Sequence, residues 1–476
     1  MTSTTTTPLP AASAPARADT GRAGPVLSES RLLPLLQRDP QLALQDPRAA
    51  LLAPVTLGTD AAARLGEHWR ARITAAAKGM AKRSRATLKG LPSGGLYGHL
   101  DDPRWQSAAL VCELFRSPDL CKNAGWLATR PLQQRLVAAL AGDAPLHLAI
   151  AWGQAKRDVG GLKLMGPLPD LAECRAIARL GTLVEAIELL LDGKRRVTLT
   201  ILGGVLRFSD ALFTRPALAQ AYDAQRARLA HWLMQRPAIA VQPFVPPQPL
   251  PEEAEVGVPD HEVELHFPTI ALNIDWGRFF THDAPDADVP ALPAAVRDWL
   301  QAHSDDDAQR LLRAAVTSTV TPRCRADWGA RFGGTEAGVL DAAIAFVRNT
   351  AWRSTRQYLR TQAWVRSQPP VAGDTTIRLT VHEKRDRQDV PAVYTLGPRA
   401  GDQLPQHVIA RLGRNGTLRF GPLAQFQRAG ALRPVLMAPA SQGPAPLDWL
   451  AETGQPLCVA DPQAECLEEL LAKALR

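Results

Sequence analysis

Between residues 146 and 210 the hydrophobic period of the chain switches twice, and those switches limit the folds open to it. Leu146-His-Leu-Ala-Ile-Ala-Trp152 is a short apolar run stopped by Gly153, the pattern of a buried strand. The loop from Gly153 to Gly161 holds Lys156 and Arg157, and Lys163 follows it. At Pro169-Asp-Leu-Ala-Glu173 the spacing predicts a helix start, with Asp170 as N-cap and Glu173 reaching back to it. Leu180, Leu183, Val184, Ile187, Leu190 and Leu191 then recur at helical spacing until Gly193. Val197, Leu199 and Ile201 alternate with threonines before Gly203-Gly204 and a polar landing at Ser209-Asp210. Strand, helix and strand make a βαβ unit. Its cations stand just past the first strand, where open α/β sheets take their ligands.

The expected fold is therefore α/β: a Rossmann-like mixed sheet flanked by helices, with an added N-terminal helical extension. At 476 residues the chain has room for two or three domains, or for one large core with appendages. We divide it into a Thr/Ala/Pro-rich disordered tail (1–27), a helical extension (28–103), a first core half (104–236), a Pro-rich linker (237–262), a second core half (263–440) and a C-terminal helix (441–476). Within the extension, residues 67–89 carry seven cations against Glu67 alone. Such a helix either binds a polyanion or presents a solvated basic face while its apolar side packs inward. Residues 104–140 read as two helices broken near Ser117-Pro118, and 216–234 as another with Tyr222, Leu229 and Leu233 on one side. Further helices are expected over 291–301, 305–316 and 338–366. In the β-rich tail, Ile377, Leu379 and Val381 alternate with Arg378, Thr380 and His382. Residues 392–396 read as a strand, and 407–420 as a hairpin whose Asn415-Gly416 suggests a type I′ turn.

No run is long enough to cross a membrane, and the start of the chain lacks the charged and apolar regions of a signal peptide. Six cysteines without a CxxC pair are expected to be free thiols in a reducing cytoplasm. A net charge of +8 suits a phosphate-bearing small molecule without requiring nucleic acid.

Lys156, the 163–166 segment, Pro169-Asp170, Glu173 and Phe208-Ser209-Asp210 stand in an order that resembles the isonitrile (isocyanide) synthase family of the pyoverdine and dityrosine biosynthesis type. The second half continues the likeness. An arginine-containing helix with Arg353, then Ile377-Arg-Leu-Thr-Val-His382, then Leu404-Pro-Gln-His407 follow in the family's order. The resemblance runs over residues 104–437, and the chain looks like a divergent member. Leu-Pro-Gln-His replaces the usual Pro-Trp-His, Thr-Val-His-Glu the usual Ser-Ile-His-Pro, and Leu202-Gly203-Gly204 the usual Asp-Gly turn.

The resemblance implies that the amine of an amino acid condenses with the ketone of ribulose 5-phosphate, whose carbon becomes the isonitrile carbon. Such chemistry needs cations for a phosphate dianion and groups that titrate near neutrality. His382 and His407 are the expected proton-transfer pair, with Lys156 beside them as the loop cation. Arg157, Lys163 and Lys384 are candidates for the phosphate, Asp210 for the amine, and Arg378 and Arg353 for a carboxylate or phosphate. Each has a plainer reading as surface charge or a half-buried polar group, and capping alone explains Asp170 and Glu173. No cofactor or metal is expected. The cluster His261, His266, Asp260, Glu262 and Glu264, which alternation would place on a strand, reads rather as an acidic surface. Arg331-Phe-Gly-Gly-Thr335 lacks the lysine of a phosphate loop.

Two other readings stay open. One is a family member that modifies the nitrogen of another, N-hydroxylated amino acid in siderophore or metallophore assembly. The other is a non-catalytic binding protein on the same scaffold. A homo-oligomer, and a partner oxygenase or peptide synthetase in the same pathway, are compatible with the first two.

Overall fold

The computed structural model describes residues 51–91, 96–153, 168–203, 212, 216–243, 257–274, 337–367, 374–382, 387–401, 403–427, 430–441, 443 and 446–474. The path runs β1 (Val55–Leu57), α1 (Ala61–Gly90), α2 (Pro103–Phe115), α3 (Thr129–Ala139), β2 (Leu146–Ala151), α4 (Leu171–Leu190), β3 (Val197–Leu202), α5 (Pro216–Met234) and β4 (Ile239–Gln242). It continues through α6 (Asp260–Asn273), α7 (Ala337–Ser367), β5 (Ile377–Leu379), β6 (Ile409–Leu412), β7 (Leu418–Gly421), α8 (Leu423–Gln427), β8 (Arg433–Met437), α9 (Asp448–Thr453), β9 (Cys458–Ala460) and α10 (Leu467–Lys473).

The βαβ unit forms as its periods dictate. β2 and β3 pair in parallel from Leu146↔Val197 to Ala151↔Leu202. Leu146, Leu148, Ile150, Val197, Leu199 and Ile201 are all buried on one face, in one core with the apolar side of α4. β4 and β5 extend the sheet on either side, giving the order β4-β3-β2-β5 with every pair parallel. Asp170 accepts from Ala172 N at 2.9 Å while Glu173 Oε2 accepts from Asp170 N at 2.8 Å, so the expected capping box is present. The fold class is α/β, a parallel sheet flanked by helices.

α1 lies along α4 and buries Leu65, Trp69, Ile73, Ala77 and Ala81 in the same core. Side chains of α5 reach both helices over glycines. A Cβ at Gly66 would stand 2.7 Å from the Trp232 ring, and one at Gly181 would strike the Met234 thioether. Trp232 is rigid and Met234 can turn aside, so Gly66→Ala should destabilise the protein by about 1–3 kcal/mol and Gly181→Ala by less. Denaturant midpoints of the two variants, measured side by side, check that order.

A second sheet of five strands, order β1-β8-β9-β6-β7, gathers segments from both ends of the chain. β1 is parallel to β8, and β9 lies between β8 (antiparallel) and β6 (parallel). Neither β1 nor β9 is announced by a period, since three residues are too few to show one. β4 falls inside the stretch read as a Pro-rich linker. The sheet edge, not an apolar alternation of its own, orders it.

Three local expectations are corrected. Residues 260–273 are helical, so Asp260, Glu262 and Glu264 do not share a strand face. The expected strand at 392–396 is reduced to bridges, Thr380↔Ala392 and Cys121↔Val393. The β6–β7 hairpin forms, but only Gly416 has positive φ (+79°), while Gly416 N donates to Gly413 O and Gly413 N to Thr417 O. That is a three-residue loop ending in a left-handed glycine rather than a type I′ turn, which needs positive φ at both central residues. Cys112, Cys121, Cys174, Cys458 and Cys466 are free thiols, and the helices expected over 291–301 and 305–316 lie outside the described residues.

Candidate functional site

All four strands of the parallel sheet point their carboxyl ends to one edge, and three sequence-distant segments meet there. The end of β2 is held by Trp152 N donating to Leu202 O at 2.8 Å, and the end of β3 by Gly203 N donating to Gln242 O at 2.7 Å. β5 lies beside β2 with Ile150↔Leu379 in register, so Thr380, Val381 and His382 leave the sheet next to Trp152 and Gly153. The third segment is the 3-10 turn Pro405–His407. Its Gln406 is buried, and Nε2 lies 3.6 Å from where a Cβ on Gly153 would stand. The turn carrying His407 is thereby seated against the exit of β2.

Alternation along β5 is as expected: Ile377, Leu379 and Val381 are buried, Arg378 and His382 exposed. Thr380 Oγ1 accepts from His382 N and donates to His382 O, both at 3.1 Å, which fixes the backbone at that histidine. Lys122, from the loop after α2, donates to Val381 O at 2.7 Å and lies 5.7 Å from the Tyr394 ring centre. It puts a cation beside His382, and no spacing in the sequence singles it out. His407 is half-buried, with its N donating to Leu404 O at 3.0 Å.

Behind this edge lies a polar network in the core. Arg226 on α5 is fully buried, 5.1 Å from the Trp152 ring centre and 4.5 Å from that of Tyr222. It pairs with Asp223 and donates to Trp152 O at 3.5 Å. Tyr222 OH donates to Glu173 Oε1 at 3.0 Å. Burial first, and then the Glu173 carboxylate, hold the Tyr222 phenol far above its ordinary value, so it stays protonated. The chain links the cap of α4 to the exit of β2. Its signal was present in the sequence: residues 222, 226, 229 and 233 follow the helical period, which puts an arginine on the buried side of α5.

Arg378 sits within β5, opposite Ala149, and pairs with Asp374 at 3.5 Å. Partial burial raises the Asp374 carboxyl, but hydrogen bonds from Thr376 and the Arg378 charge outweigh it, and the net shift is downward. A lowered carboxyl stabilises the fold above its unfolded pKa, and that stability is lost as pH falls through the folded value. Asp374→Asn should therefore lower stability slightly at neutral pH, match the original protein at acid pH, and so flatten the acid limb of a stability-against-pH profile.

Arg353 is exposed on α7, away from the strand ends in sequence, and the neighbouring Arg356 pairs with Asp260. Lys156, Arg157, Lys163, Asp210 and Lys384 lie outside the described residues. Among the described residues no three His, Cys, Asp or Glu side chains come together as metal ligands, and no helix is long and apolar enough to cross a membrane.

No family model and no curated protein matches this chain. Among solved structures it is similar to the crystal structure of the PvcA protein from Pseudomonas aeruginosa, with a TM-score of 0.38 and 17% identity. The likeness covers 70% of this chain and 91% of that one. At this level it carries no argument about chemistry, which has to come from the residues at the sheet edge.

Proposed function

We propose that this chain is an isonitrile-synthase-like enzyme of specialised metabolism. It acts on the amino group of an amino acid at the carboxyl edge of the parallel sheet, with ribulose 5-phosphate as co-substrate. The single observation that supports the reading most is the seat of Gln406 against Gly153. It brings an imidazole-bearing turn to the strand that leads into the basic loop, with a second imidazole leaving the adjacent strand.

In this reading Lys156 and Arg157, which follow Gly153 in the chain, hold the phosphate with Lys163 and Lys384. The amine must be neutral to attack the ketone, and Asp210 accepts its hydrogen bond. His382 and His407 move the protons of carbinolamine dehydration and of the later eliminations. Arg378 receives a carboxylate by exchanging it for Asp374, and Arg353 remains a candidate for the same role. Arg226 and Tyr222 touch no substrate. They fix the end of β2, from which the loop departs.

The first test is ligand stabilisation. A panel of amino acids, each with and without ribulose 5-phosphate, is screened by thermal shift. The cognate pair at a hundredfold over its Kd should add about 2.7 kcal/mol of apparent stability. The same mixture should release phosphate and yield a product with the mass of the isonitrile. Stabilisation by an N-hydroxylated amino acid alone, without any sugar-phosphate effect, would favour the nitrogen-modifying reading; no response across the panel would sink both.

A further inference from the structure

At the opposite end of α4 from the candidate site, the exposed face of α1 carries a row of cations. Lys78, Lys82 and Lys89 fall on one exposed stripe, and Lys194 and Arg196 are exposed on the turn between α4 and β3. Arg85 ties the two together, donating to Asp192 Oδ1 at 2.8 Å and to Leu189 O. The twenty residues of α4 span about 30 Å, so this surface is separate from the strand ends that begin at Trp152.

The nearby acids are already engaged. Asp192 is taken by Arg85, Glu188 by Arg236 at 2.7 Å, and Glu185 by the Thr74 hydroxyl at 3.0 Å. None of Lys78, Lys82, Lys89, Lys194 and Arg196 has a side-chain partner among the described residues. Lys89 and Lys194 stand at helix C-termini, where a cation offsets the dipole, but that effect fades within one turn. Lys78 and Lys82 lie too far back along α1 for it to account for them.

We propose that this stripe is a docking surface for an acidic helix of a partner protein. Lys78 to Lys89 span about 16 Å, three turns, with Ala86 exposed between them and Ala71 and Ala75 exposed on the same side just before Lys78, while Arg85 on the stripe is turned towards Asp192. A second helix can lie flat along such a face with its carboxylates over the lysines. No exposed aromatic or amide side chain lines the stripe to stack on or read a base, which disfavours nucleic acid. The large exposed hydrophobics, Leu52, Leu96 and Leu265, all lie off α1, so nothing on it is suited to enter a lipid surface.

The test uses the full chain and a fluorescent Ala/Glu helical peptide of about 20 residues. Binding should be salt-sensitive, and Lys78→Glu/Lys82→Glu/Lys89→Glu should weaken it roughly tenfold or more. The triple Lys→Gln variant should give an intermediate loss, and a lysine-bearing version of the peptide should bind the Glu variant better than the original protein. Thermal stability should fall only slightly, from the change at Lys89 in the last turn of α1, and any response to the small-molecule panel should be unchanged in both variants. The proposal is overturned if the peptide does not bind, or if it binds both variants as well as the original. Tighter binding to duplex DNA, or to phosphatidylcholine/phosphatidylserine vesicles, than to the peptide overturns it as well.

Discussion

Arg226→Ala should lower the unfolding free energy by about 3–5 kcal/mol, among the largest single-site losses in the protein. The side chain is fully buried, lies against both Trp152 and Tyr222, and pairs with Asp223. Its removal ends the ion pair and both ring contacts, and opens a cavity where the surrounding helices cannot collapse. Arg226→Lys should still cost about 2 kcal/mol, because an ammonium cannot lie flat on two rings. Tyr222→Phe should cost less, since it removes one donor from Glu173 while the capping box persists. Denaturant midpoints for the three variants check the series. A loss below about 1 kcal/mol for Arg226→Ala would mean that the network is not a structural tie. Because Arg226 also donates to Trp152 O, the Lys variant should lose ligand-induced stabilisation beyond what its lower starting stability explains.

His382→Gln and His407→Gln carry the second large expectation. Each should reduce turnover by roughly a hundred- to ten-thousand-fold, the usual worth of a positioned acid or base. Neither should change stability much. His382 is exposed, its hydrogen bonds to Thr380 use only backbone atoms, and His407 is half-buried at the end of a short turn. If the two imidazoles act as one acid–base unit, the double variant should be no worse than the poorer single one. Turnover that survives both substitutions would remove proton transfer from this edge and leave the sheet topology alone standing.

The parts of the fold legible in the sequence are those governed by contacts close along the chain. Strand alternation at Leu146–Ala151 and Val197–Leu202, the Asp170–Glu173 box and the 3.6-residue stripe of α4 each involve neighbours within a turn or a pleat. Arg226 was legible in the same way, as an ion at a core position of α5, once its helical period is followed to the end. β1, β4 and β9 were not, because a strand of three or four residues draws its stability from the partner it pairs with. The type I′ expectation at Asn415-Gly416 failed for a related reason. A dipeptide sets which residue can take positive φ, while the pairing of Leu412 with Leu418 sets the loop length.

The sequence by itself determined a βαβ unit with cations after its first strand, a capped helix and cysteines left as free thiols. Tertiary structure alone decided that β5, from far down the chain, lies against β2, and that Gln406 is seated on Gly153. Local periods say which side of an element faces inward. They do not say which distant segment it meets, since that choice is made by packing and backbone pairing summed over the whole core.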